Sequence, residues 1–393
     1  MVEWKTIGEL GTFYGGLTGK SKNDFTDGNA KFVSYMNVYS HPKLNDNITE
    51  TVKVSANEKQ NKIQCGDILF TGSSETPDEC GMSSVVCKPL DEDVYLNSFC
   101  FGFRWNDTRL FIPEFMSHLF RSNLMRNQIY KTANGVTRFN VSKKQFAKIT
   151  IPILPLSEQQ RIVDTLDTFT ASIRNIRKQI TQRRKQYEYY IDQLFSFEGR
   201  KDVEWKTLAD TGTFTRGKRF VRADNVEDGV PCIHYGDMYT KYGLVETETQ
   251  THLTEEKAKK LRFAHKGDVV IVAAGENDWD IGVGMAWMGE DAAAVHDACF
   301  IFEHKQNPMY IAYYMRTYQY HHQIQMGVVD GKICSISALE LGKAIIPLPS
   351  LEEQSHIVSI LNSFAVNILN LRRQLVLRMK QYKYYREKLL TFE

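Results

Sequence analysis

Two stretches of this chain, RRKQYEYYIDQLFSFE at 183–198 and RMKQYKYYREKLLTFE at 378–393, are nearly one sequence written twice, 195 residues apart. With residue n set against n+195 from Ile151 onward, 22 of 48 positions are identical. Upstream the match continues more weakly. VEWKTIGELGTF from Val2 returns as VEWKTLADTGTF from Val203, CGDILF at Cys65 as KGDVVI at Lys266, and SFCFGF at Ser98 as DACFIF at Asp297. Self-similarity at a fixed period marks a duplicated structural unit. The chain of 393 residues divides into a divergent part (1–150), a similar part (151–198), a second divergent part (199–345) and the second similar part (346–393). One part of each half does the same job twice; the other does two different jobs.

The similar parts read as long helices. Ile162, Leu166, Phe169, Ile173, Ile176, Ile180, Arg183, Tyr187, Tyr190 and Leu194 recur at alternating spacings of four and three. Ile357, Leu361, Phe364, Ile368, Leu371, Leu375, Arg378, Tyr382, Tyr385 and Leu389 repeat that row. Heptads sustained this long predict a coiled coil. Each helix is predicted to begin near Ser157 or Glu352, behind Pro155 or Pro349. About 36 residues at 1.5 Å each gives roughly 54 Å. A helix with one apolar stripe must bury it, and the simplest partner is the other stripe. Halves related by a pseudo-twofold pack the two antiparallel. Ile162, Leu166, Phe169, Ile173 and Tyr187, with Ile357, Leu361, Phe364, Ile368 and Tyr382, are the candidate seam and partner-docking residues. Arg183 and Arg378 fall in the row, where a cation is costly unless paired or snorkelling.

The divergent parts read as mixed α and β. Strands are predicted over 63–70, 94–103, 230–238, 268–273 and 299–303. One helix is predicted from Pro113 and one from Pro308, with Arg121 matched to Arg316 and Gln128 to Gln323. The expected fold is α+β: two mixed α/β domains related by a pseudo-twofold and separated by two long helices packed as an antiparallel coiled coil.

Composition excludes several classes. With 42% apolar and 24% charged residues and a net charge of +2, the chain reads as ordinary globular protein, and local patches decide whether it meets nucleic acid. No apolar run reaches the ~18 residues of a membrane span, and MVEWKTIGEL lacks the pattern of a secretory signal. A cytoplasmic location is expected. Seven cysteines without a C-x-x-C pair point to buried, reduced thiols, not to a zinc site or disulfide framework. NPMY at Asn307–Tyr310 resembles the N-P-P-Y of base-amine methyltransferases, but the sister half has IPEF at Ile112–Phe115. Pro308 therefore reads as a first-turn helix proline and Asn307 as its cap. No glycine-rich cofactor motif or P-loop occurs, and His321–His322 read as solvated helix residues. No catalytic residue, metal site or cofactor is expected in this chain.

Loops rich in Arg, Lys, aromatic and amide side chains remain, and these suit phosphate positioning and groove readout. The candidates are Tyr14, Lys20 and Lys22 in the first loop and Asn134, Thr137 and Arg138 in a later one. The second half offers Arg216, Lys218, Arg219 and Lys332.

IPILPLSEQQRIVDTLD from Ile151 and IPLPSLEEQSHIVSILN from Ile346, each a proline-bounded Glu-Gln leading into heptads, resemble the specificity subunit of type I restriction–modification systems. The Gly-Asp strand entries at Asp67 and Asp268 fit the same family. The resemblance implies a non-catalytic DNA reader with one target-recognition domain per half of a split, asymmetric target. It implies helices that act as spacer and dock two methyltransferase subunits, with restriction subunits joining through the complex. S-adenosylmethionine, ATP and magnesium are then expected on those partners. The family pattern also has an N-terminal conserved segment, where this chain starts directly at its first recognition domain. A type IIB-like specificity subunit, a standalone DNA-modifying enzyme and a coiled-coil adaptor without DNA binding are the competing readings.

Overall fold

The computed structural model describes residues 2–392. It forms two compact units, one of residues 1–177 with 373–393 and one of residues 178–372. The units therefore cut across both long helices.

In the first unit, a four-stranded antiparallel sheet runs in the order Gly11–Gly15, Cys100–Trp105, Ile68–Thr71, Ser83–Val85. Alternation along Cys100–Trp105 puts Phe101 and Phe103 on one face. There they join Phe70 in one core with Phe115, Leu119 and Phe120. A second sheet, Thr51–Val52, Ala30–Val33, Val94–Leu96, carries a separate core around Val33, Ile48 and Leu96. A small ribbon joins Ala133–Asn134, Phe139–Val141 and Ser73–Ser74. Glu3–Thr6 pairs antiparallel with Thr150–Ile153, which hands the chain to the first long helix.

The second unit repeats this plan. Gly212–Arg216, Cys299–His304, Val269–Val272 and Gly284–Trp287 form the same sheet, and Val245–Glu246 adds a fifth strand, parallel to the last. Val230–Ile233 pairs in parallel with Ala293–Val295, as Ala30–Val33 does with Val94–Leu96. Glu204–Thr207 pairs with Ile345–Leu348.

Several predicted elements divide where polar residues intervene. The strand expected over 63–70 starts only at Ile68, after a turn closed by Asp67. The one over 94–103 breaks at Asn97, whose Oδ1 accepts the Phe99 N–H at 2.9 Å. The one over 230–238 ends at Ile233, and Tyr235–Thr240 is helix. Each proline-led helix is two: Pro113–Leu119 and Asn123–Tyr130, then Pro308–Tyr314 and Tyr318–Ile324. Ser122 and Thr317 cap the second of each pair. Arg121 and Arg316 do match, as half-buried ties to the carbonyls of Ser83 and Gly284. Asn307 caps its helix as expected, accepting from Met309 N and Tyr310 N. All seven cysteines are free, but Cys65 is exposed and Cys87 half-buried. His321 is half-buried beside Trp279, not solvated.

The long helices, Leu156–Leu194 and Leu351–Leu389, have 39 residues each, about 58 Å at 1.5 Å per residue. Their apolar rows serve two partners. Ile162 and Leu166 lie in the core of their own globular domain, alongside Phe115 and Phe120. Further along, the rows meet the other helix. In the first unit Phe169 stacks on Tyr385 at 5.2 Å, while Ile162 and Leu166 share a core with Leu389 and Leu390, so the segments run antiparallel. In the second unit Tyr190 stacks on Phe364 at 5.3 Å, the same two positions used again. Ile357 and Leu361 repeat the burial of Ile162 and Leu166, with Tyr187 packed on that core. Ile173 and Ile368 are half-buried. Arg183 and Arg378 are exposed and bond Gln186 and Gln381, so neither charge is desolvated.

The helix start is fixed by the glutamine of the Glu-Gln pair. Gln159 is fully buried; its Nε2 donates to the carbonyls of Leu110 and Leu154, both at 2.9 Å, and its Oε1 accepts the Ile112 N–H at 2.9 Å. Gln354 does the same with Pro349 O, Gln306 Oε1 and Asn307 N. We expect Gln159→Leu to strand three polar groups in the core at about 1–3 kcal/mol each. Thermal or urea unfolding should show a loss of several kcal/mol, and Gln159→Glu, which keeps the shape but removes the donors, should not rescue it.

Candidate nucleic-acid interface

In each globular domain a loop that carries candidates crosses over one turn. In the first, the strand Gly11–Gly15 leaves through Gly16, and Leu17 N donates to Leu96 O at 2.7 Å. A Cβ on Gly16 would lie 2.0 Å from Asn97 O, so only glycine lets the loop cross there. Gly217 has the same relation to His296 O, at 2.2 Å. The first loop thus lies on the turn Asn97–Phe99, its counterpart on the turn His296–Ala298.

The predicted residues separate into two groups. Tyr14 donates to Asp67 Oδ2 at 2.7 Å and packs under Arg104, so it braces the fold. Lys20 is held inside by Glu58 and by Lys53 O, both at 2.6 Å, which occupies its charge internally. Lys22, Asn134, Thr137 and Arg138 are exposed. Arg138 lies 5.5 Å over the Phe99 ring and bonds Ser73 Oγ at 3.1 and 3.3 Å. In the second domain Arg216, Lys218, Arg219 and Lys332 are all exposed. Arg216 Nε donates to Asp297 O at 2.8 Å, which sets it on the turn.

Beside that turn lies a feature the loop composition did not single out. His234 and His296 are nearly buried, with ring centroids 4.5 Å apart and Tyr235 against both. Each Nδ1 accepts a backbone N–H, from Gly236 and from Ala298. Burial pushes both imidazoles below their usual range; the neighbouring ring adds to this for His234, and Asp297 opposes it for His296. At neutral pH both are uncharged. The signal was in CIHYGDMY and VHDACF, but only a folded chain brings the two together.

The Gly-Asp residues are structural. Gly66 and Gly267 sit at positive φ, 88° and 99°, and Asp67 and Asp268 accept N–H groups from Gln64 and His265 three residues back. Arg104 clamps Asp67 at 2.6 and 2.9 Å. Asp268 has Glu303 at the matching place, and burial raises its carboxyl, with Glu303 adding to the rise. Among the described residues no group of three or more His, Cys, Asp or Glu could hold a metal ion, and no helix is long and apolar enough to cross a membrane.

His304 has its pKa lowered to about 4 by burial, and its Nε2 has no partner. His118, His234, His296 and His321 are lowered too, burial leading in each. Below the unfolded value near 6.5, the unfolded chain binds protons that the folded one excludes, so stability falls as pH drops from about 6.5 towards 4 and is complete above 6.5. His304 alone accounts for up to about 3 kcal/mol of that loss. Melting temperatures at pH 7.5 and 5 should show it, and His304→Asn, whose Oδ1 takes the place of Nδ1 as acceptor for Gln306 N, should flatten the slope.

A family model described as "Type I restriction modification DNA specificity domain" matches residues 1–183 and again 200–377. A putative type I restriction enzyme specificity subunit of Haemophilus influenzae is 30% identical over 273 residues, covering 66% of this chain and 68% of that protein. The EcoR124I/EcoR124II specificity subunit of Escherichia coli is 31% identical over 252 residues, 61% of each. The chain thus spans about two thirds or less of these relatives' length. In fold it resembles the S subunit of a type I system from M. genitalium (TM-score 0.53, 15% identity, 100% and 97% coverage). It also resembles a solved structure titled for complex assembly and conformational transition of the type I R-M system (TM-score 0.62, 19% identity, 99% and 96% coverage).

Proposed function

The chain belongs to the type I restriction modification DNA specificity family, and on that premise we propose that it is the non-catalytic DNA reader of such a complex, recognising a bipartite asymmetric target with one domain per half. One observation carries this reading: a single frame is built twice, and the same turn in each copy carries different exposed chemistry. Exposed Phe99 and Arg138 stand on the first and exposed Arg216 on the second, beside the nearly buried His234–His296 pair. Rigid scaffolds with variable loop tips suit base readout, while exposed lysines and arginines such as Lys22, Lys218 and Arg219 suit phosphates.

Methyltransferase subunits, two in number, are the proposed helix partners, with restriction subunits joining through them. S-adenosylmethionine, ATP and magnesium belong to those partners, and the assembly works in the cytoplasm. The exposed apolar side chains of the second long helix, Val366, Leu369, Val376 and Leu377, support docking of a further helical surface. Exchanging residues 1–150 for those of another family member should change one half of the methylated sequence and leave the other unchanged. Methylation mapping of the assembled complex reads this directly; a change in both halves, or in neither, contradicts the assignment of one domain to one half.

A further inference from the structure

We propose that Phe99 and Arg138 are the base-reading pair of the first recognition domain, and that they read a guanine next to a thymine in its half of the target. This rests on the DNA-reading function above and extends it to named side chains and bases.

A single exposed apolar side chain needs no explanation, but Phe99 is more than that. It is 58% exposed at the tip of a turn whose backbone is locked on both sides. Its N–H donates to Asn97 Oδ1 at 2.9 Å, and its carbonyl accepts Gly72 N at 2.7 Å. A Cβ on Gly72 would stand 2.8 Å from that same carbonyl, so the strand beneath approaches as closely as a backbone can. The ring is thus presented to solvent on a support with little play, at low conformational cost to any contact it makes.

Arg138 is aimed in the same way. Its guanidinium lies 5.5 Å over the Phe99 ring, and Nε and Nη2 are held on Ser73 Oγ. Ser73 is itself nearly buried, paired in the ribbon with Asn140, and its carbonyl accepts Tyr35 OH at 2.7 Å. Among the described residues nothing bonds Nη1 of Arg138, so part of the donor fork remains for a ligand.

The duplicated half supplies the control. At the places of Phe99, Arg138 and Ser73 it has Ala298, Ile333 and Ala274. The surrounding frame is the same: Ala273 N bonds Ala298 O as Gly72 N bonds Phe99 O. The frame therefore does not need the ring, the guanidinium or the hydroxyl. All three change together, as a reading group for one half-site would.

The chemistry of the two side chains selects the bases. In the major groove an arginine fork matches guanine O6 and N7, and an apolar ring contacts the thymine methyl. The two groups are 5.5 Å apart, which spans one base step of about 3.4 Å with some lateral offset. They fall on neighbouring pairs.

The test uses the full chain assembled with its methyltransferase subunits and the duplex that methylation mapping of that complex returns. Wild type should bind about 3- to 10-fold more weakly when one thymine in the first half-site is replaced by uracil, which lacks the methyl. Phe99→Ala should bind both duplexes alike. Arg138→Gln should lose about 10- to 100-fold of its preference at the neighbouring guanine. Unchanged melting temperatures would show that both variants are folded, as their exposure predicts. The proposal is overturned if both variants keep every wild-type base preference, if the relaxed positions lie in the other half-site, or if binding weakens equally on all sequences. A wild-type complex without sequence preference would instead remove the DNA-reading function, and this proposal with it.

Discussion

Two buried glutamines decide how everything else in this chain can be arranged. Gln159 and Gln354 each sit in the first turn of a long helix and bond backbone groups just ahead of a proline-led helix, at Ile112 and at Asn307. Each also bonds the segment that enters its own helix, at Leu154 O and Pro349 O. A side chain with one acceptor and two donor hydrogens, all used, fixes both position and direction. Leucine there would bury equally well but would carry no orientation. The helix then leaves its domain along one line, and its apolar row is divided between that domain and the other helix.

On this common frame the halves place different electrostatics. Where His118 bonds Asp167 at 2.8 Å and Tyr382 at 2.9 Å, with Lys43 on the same carboxylate, the second unit has Tyr313 bonded to Asn362. Burial disfavours the Asp167 charge, but His118 and Lys43 outweigh it and hold the carboxyl below its usual range. Where Arg104 clamps Asp67, the second unit has Glu303 near an Asp268 with a raised carboxyl. Geometry is repeated and charge is not. That combination suits a protein whose halves have one mechanical task and two recognition tasks.

Heptad spacing and matched proline positions were legible because each rests on a local rule, a helix period and a fixed φ, and the Glu-Gln pair because it recurs at the same place in both halves. They named the long helices, the duplicated plan and the family. The heptad row read as one seam; the share of it that packs on the globular domain depends on what lies beside it. Loop composition found Arg138 and Arg216, which are exposed, but it ranked Tyr14 and Lys20 with them. Nothing in the local sequence reports that Asp67 waits under Tyr14, or that Glu58 closes on Lys20 from 38 residues away.

The sequence by itself determined the repeat, the lengths of the helices and the residues that start them, since these follow from spacing along one chain. Tertiary structure alone decided which residues face outward together. Phe99 continues an alternating run with Phe101 and Phe103 and reads as core; a turn at Asn97 puts it in solvent under Arg138. His234 and His296 are 62 positions apart in the chain, and a parallel strand pair sets their rings side by side. Long-range pairing costs loop entropy that only a completed core repays, so such sites come into being with the fold and leave no local pattern before it.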